Sequence, residues 1–162
     1  MLGRLTIMRL AINETALPPR WFARLFATSP IYWVCLLGLC AAYIQGGLVK
    51  ATDFNGAVAE LEHFGLPPSS WLVLGTIFTE LVGSILILSN CYRWLGAFLL
   101  AGFTFTATFV ANRFWEIPVS DRFMVENAFF EHLGLVGGFL LVAWHDIRDG
   151  YQSQQRQKFA SR

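Results

Sequence analysis

The chain has 162 residues, 55% of them hydrophobic and only 14% charged, with a net charge of +1 and a mean hydropathy of +0.49. A soluble domain carries about a quarter charged residues, so this composition reads as a single-domain membrane protein. The balance of charge, with no basic block or aromatic–basic ladder, excludes nucleic acid as a partner.

Residues 1–30 read as a basic amphipathic lead. Met1 to Ile12 is broken by Arg4 and Arg9 and is too short in apolar run for a signal peptide, so the first span is expected to act as its own insertion signal. After Pro18-Pro19, the side chains of Trp21, Phe22, Leu25 and Phe26 fall on one helical face flanked by Arg20 and Arg24. That pattern suits a helix at the headgroup level.

Residues 31–145 carry four predicted spans. The first covers 31–49 and is closed by Lys50. Its Cys35, Gly38, Ala42, Gln45 and Gly46 trace a small or polar stripe, expected to face other helices. Thr52 to Gly65 predicts a short external helix capped by Thr52 or Asp53. Phe54, Val58, Leu61 and Phe64 give it an apolar face, and Gly65 before Pro67-Pro68 stops it. It is expected to lie on the membrane as a lid.

The second span, 71–89, holds Glu80 near its centre, on one face with Thr76, Gly83 and Ser84. The tight connection Asn90 to Arg93 makes spans two and three antiparallel neighbours. The third, 94–112, points Ala97, Ala101, Thr104, Thr108 and Asn112 inward. The fourth, 127–144, contains Glu131-His132 one turn from a Gly134/Gly138 pair that invites close approach of a neighbour. Residues 146–162 form a polar tail expected to fray.

Nine of the twelve Lys and Arg residues fall on the side of the termini and three (Lys50, Arg113, Arg122) on the other. This predicts an all-α integral membrane four-helix bundle with both termini cytoplasmic. Cys35, Cys40 and Cys91 form no C-x-x-C motif and would lie in the cytoplasmic half, so they read as reduced packing residues.

Ionisable groups at membrane depth cost roughly 2.5–3.5 kcal/mol each on insertion scales, so they turn toward a bundle interior or a wet cavity. By helical rise Glu80 lies about 13 Å below Trp71, and Glu131 and His132 lie about 6–8 Å below the start of span four. Gln45, Lys50, Asn112 and Arg113 sit at the same, outer end. The expectation is one outward-opening polar pocket. In it Glu131 pairs with Arg113 or Lys50, and the deeper Glu80 is the candidate for holding a proton.

Such a pocket, with aromatic walls from Phe114, Trp115, Phe129 and Phe130, suits proton handling at a quinone ring. Glu80, Glu131 and His132 are the candidate catalytic residues; Arg113, Asn112, Gln45, Lys50 and Trp115 are candidate substrate-binding residues. No metal site is expected, because Glu131 and His132 point about 100° apart on a helix. No intrinsic cofactor is expected, and electrons would pass to or from a protein partner. In the competing structural reading, these side chains are interhelical glue and the aromatic residues face lipid. Two other functions stand beside the redox one: a non-catalytic anchor or assembly partner for a redox or stress-response complex, and a carrier for a small metabolite or metal. Self-association is left open.

Gly46-Gly47 with Lys50, Gly65-Leu66-Pro67, Glu80-Leu81-Val82-Gly83, Arg93, Phe114-Trp115 and Phe130 to Gly138 follow one another in an order that resembles the DoxX family of small bacterial membrane proteins. The resemblance covers about Ile31 to Trp144. It implies a four-helix inner-membrane bundle associated with respiratory or sulfur-oxidising chemistry. The role it implies is a quinone-reactive subunit or a membrane partner of redox-defence enzymes.

Overall fold

The computed structural model describes residues 18–161; Arg4, Arg9 and the rest of the first 17 residues, with Arg162, lie outside the described residues. The described residues form helices and short connections, and no strand occurs among them. They fall into two compact units that meet between Cys35 and Leu36.

In the first unit, α1 (Arg20–Phe26) starts directly after Pro18-Pro19, where a missing N–H costs nothing. Phe22 stacks on Phe26 with ring centroids 4.3 Å apart, and Trp21 meets Phe22 edge-on at 5.7 Å. The Thr28 hydroxyl donates back to the Leu25 carbonyl at 2.7 Å and closes the turn. Helix α2 (Ser29–Thr52) begins there, with Pro30 in its first turn.

From Leu36 onward, α2 packs with α4 (Ser70–Leu88), α5 (Arg93–Ala111) and α6 (Phe123–Ala160) around a core that includes Leu36, Cys40, Ile87, Leu100 and Phe139. All four helices are long and apolar enough to cross a membrane. The buried face of α2 carries Leu36, Cys40, Tyr43 and Gly47, one residue every three or four positions. This corrects the expected stripe. Cys35, Gly38, Ala42 and Gln45 are exposed, because they lie on the side of the helix opposite Tyr43 and Gly47. On α4 and α5 the inward residues are Glu80, Gly83 and Ser84, and Ala97, Ala101, Thr104 and Thr108, all buried.

Helices α4 and α5 approach most closely through glycines. A Cβ on Gly96 would stand 2.6 Å from the Gly83 carbonyl oxygen, and one on Gly83 would stand 2.7 Å from Leu100. At that distance any side chain added here forces a neighbour to move. The expected Gly134/Gly138 contact is not where the helices meet tightly. Gly134 faces open space, and Gly138 meets only the Leu39 side chain, at 3.3 Å.

The external helix α3 (Phe54–His63) takes Asp53 as its cap, the carboxylate accepting from the Gly56 N–H at 3.0 Å. It ends in a Schellman turn. Gly65 adopts φ +74°, its N–H reaches the Glu62 carbonyl, and the Leu66 N–H reaches the Leu61 carbonyl, each at 2.9 Å. Helix α6 has 38 residues, about 57 Å of helix, nearly twice the thickness of a hydrocarbon core. The expected frayed tail is therefore a continuous extension of the fourth span.

Candidate functional site

The polar residues of the Lys50 end divide into small groups. Glu80 reaches the core side of α4 because Val73, Glu80, Gly83, Ser84 and Ile87 share its buried face. It is 6% exposed. One carboxylate oxygen, Oε1, accepts from Lys50 Nζ at 3.3 Å. Lys50 stands in the last turn of α2, where the helix dipole favours a cation, and its ammonium also lies 3.9 Å from Glu60 Oε2 on α3. Gly46 leaves room beside this pair: a Cβ there would be 3.4 Å from both Glu80 Oε2 and Lys50 Nζ.

The other oxygen of Glu80, Oε2, is buried and has no hydrogen-bond donor among the described residues. A buried carboxylate is costly unless its oxygens are satisfied, so Glu80 gains from a further donor at Oε2. Tyr43 borders the same region, and its hydroxyl bonds to Thr104 Oγ1 at 2.5 Å. The Thr104 hydroxyl itself donates to the Leu100 carbonyl at 2.7 Å, so Tyr43 is the donor to Thr104.

A second group lies between α5 and α6. Asn112 Nδ2 sits 2.9 Å from His132 Nδ1, within hydrogen-bond distance. Arg113 continues from Asn112 but turns to the end of α3. It donates to the Phe64 carbonyl at 3.3 Å and pairs with Glu116 at 3.3 Å. This ties the external helix to the third span. Trp115 belongs to an aromatic cluster around the buried Phe129, with ring centroids 5.9 Å from Trp115 and 5.3 Å from Phe114 and from Phe109.

Three expected placements are corrected. Glu131 pairs with neither Arg113 nor Lys50; it is exposed and accepts from Asn127 Nδ2 at 2.6 Å on its own helix. The reason is angular. His132 takes the face turned to α5, and adjacent helical residues diverge by about 100°, which sends Glu131 outward. Gln45 is exposed, for the reason given for the outer face of α2. The second carboxylate near Glu80 is Glu60, not Glu131. Candidate residues are thus brought together as Lys50 with Glu80 and as Asn112 with His132, while Gln45 and Glu131 stand apart.

Glu60 was not among the expected residues because it reads as part of the solvated face of α3. In the structure it lies one turn from Ala57, the buried residue of that helix, and no sequence signal marks that side. At the opposite end, Arg93 and Asp146 were also missed. Arg93 Nε donates to the Ile87 carbonyl at 3.1 Å, and its guanidinium is 4.0 Å from Asp146. Asp146 also accepts from the Trp94 N–H at 3.1 Å, so α6 supplies the N-terminal cap that α5 lacks.

No cluster of three or more His, Cys, Asp or Glu side chains with metal-holding geometry occurs among the described residues. The three cysteines are free. The hollows on the molecule's flank are shallow and apolar. One lies along α4 at Trp71, Leu74, Phe78 and Leu81; another lies between α4 and α5 at Thr79, Phe98, Leu99 and Phe103.

Four helices long and apolar enough to cross a membrane define a multi-pass membrane protein. The family model for DoxX matches residues 35–113, and over that segment the chain is similar to the DoxX family. The matched segment contains Lys50, Glu60, Glu80, Asn112 and Arg113, and it ends before Glu131 and His132. No curated protein and no solved structure matches the chain.

Proposed function

We propose that this chain is the membrane subunit of a bacterial inner-membrane oxidoreductase system and holds a quinone or similar small redox molecule at the Lys50 end. Glu80 exchanges the proton that accompanies electron transfer, and Lys50 polarises the ring oxygen and restrains the carboxylate. Arg113 and Asn112–His132 shape the rim, and a protein partner carries the electrons. With nine of twelve basic residues on the side of the termini, the Lys50 end faces away from the cytoplasm.

The observation that supports this reading is Glu80 Oε2, buried beside a lysine ammonium and without a donor among the described residues. A group of that kind gains most from a proton or from a ligand hydroxyl, the two things that quinol chemistry supplies. Equilibrium binding of a labelled short-chain quinone analogue to the protein in lipid nanodiscs tests it. Glu80→Gln removes a hydrogen bond to a charged group and should weaken binding about tenfold or more, whereas Glu131→Gln should leave it unchanged. Saturable binding that survives Glu80→Gln at wild-type affinity, or no binding at all, refutes the assignment.

A further inference from the structure

Three side chains at the Lys50 end form a graded series from the interior to the surface. The Glu80 side chain is 7% exposed, that of Lys50 20% and that of Glu60 48%. They are linked in that order, at 3.3 Å and 3.9 Å. The second gap is wider than a hydrogen bond, and one rotamer adjustment or one bridging water closes it.

Toward the Arg93 end the neighbours of Glu80 are uncharged, the Ser84 hydroxyl and the Cys40 thiol hydrogen-bonded to it, and no charged side chain follows them among the described residues before Arg93. The Tyr43 proton is committed to Thr104, and the Ser84 hydroxyl donates to the Glu80 backbone carbonyl at 2.7 Å. Beyond them Cys40, Ile87, Ala97, Leu100 and Phe139 are wholly buried. Among the described residues the next buried polar side chain in that direction is Arg93, which donates to the Ile87 carbonyl and faces Asp146. The titratable groups acting on Glu80 are Lys50 from α2 and Glu60 from α3, and Glu80 in turn acts on Tyr43, as does the Cys40 thiol of α2. A proton leaving Glu80 therefore has an ionisable ladder on one side and a dry, close-packed layer on the other.

We propose that Lys50 and Glu60 form a proton relay that connects the buried Glu80 carboxyl only to the surface at the Lys50 end. In the outward step the Lys50 ammonium gives a proton to the Glu60 carboxylate, and the resulting amine takes the proton of the Glu80 carboxyl. The net change is one proton moved from Glu80 to Glu60. Lys50 is restored, no electron moves, and Glu60 releases the proton to water. Uptake runs the same steps backward. The inference rests on Glu80 being the proton-exchanging group and adds the side on which the exchange occurs. Protons released as a substrate is oxidised then leave at the face away from the cytoplasm.

Time-resolved infrared spectroscopy of vesicles carrying the protein in one orientation tests the route. The protonated-carboxyl band lost in Glu80→Gln reports Glu80, and the pH is stepped separately inside and outside. The band should follow the pH on the Lys50 side alone. Glu60→Gln, at an exposed position, should slow the response about tenfold or more, and Glu62→Gln on the same helix should not. A band that follows the Arg93 side, or wild-type kinetics in Glu60→Gln, overturns the relay while leaving Glu80 as an exchanging group. Absence of any titrating Glu80 band overturns both.

Discussion

Each end of the four-helix unit buries one charged side chain, and the two are treated in opposite ways. At one end Arg93, 7% exposed, donates to the Ile87 carbonyl and faces Asp146, whose other role is to cap α5. Toward the other end Glu80, 6% exposed, has one oxygen on Lys50 and one with no donor among the described residues. The first arrangement uses a charge to lock a turn and a helix end. The second leaves chemical capacity unused in a place where that is expensive, and such places are where chemistry is done. Buried charge alone therefore does not mark a site; the contrast in satisfaction does.

That contrast can be broken most forcefully at the locked end. Arg93→Leu strips the Ile87 carbonyl and Asp146 of their shared cation and should lower unfolding stability by about 3 kcal/mol, measured by graded denaturant in mixed micelles. A loss under about 1 kcal/mol would make the Arg93 end as dispensable as a surface pair and erase the distinction. Next comes packing. Gly96→Ala forces a methyl against the Gly83 carbonyl and should cost about 1–3 kcal/mol, whereas Gly134→Ala has open space and should be neutral or mildly stabilising. Equal costs at the two glycines would place the tight seam elsewhere. Smallest is Lys50→Met, which should cost about 1 kcal/mol or less, because Glu80 deprived of its cation can take up a proton and become neutral. A loss matching that of Arg93→Leu would show that the Lys50–Glu80 pair is structural.

The two ends also differ in how much of them the sequence discloses. The spans are legible because each is an uninterrupted apolar run, and the inward faces of α4 and α5 because small and hydroxylated residues repeat there at helical spacing. Depth is legible too: counting along the spans puts Lys50, Glu80, Asn112 and His132 toward one end. What depth does not give is direction around the helix. In a bilayer the outward face is as apolar as the inward one, so hydropathy does not say which side of α2 is buried. Depth alone points Gln45 and Glu131 inward, and both face outward. Glu60 was hidden in a helix that reads as a polar surface element. Asp146 was hidden by its assignment to a fraying tail, although the charged residue opposite Arg93 belongs to a helix that runs unbroken to Ala160.

Glu80→Gln separates function from architecture most directly, read by thermal unfolding in detergent with and without a short-chain quinone analogue. If Glu80 is held for chemistry, the uncharged amide leaves the unliganded midpoint at or above that of the wild type, and the upward shift caused by the analogue disappears. A midpoint that falls as far as that of Arg93→Leu, with the analogue's shift preserved, would contradict the account and reduce Glu80 to a structural contact.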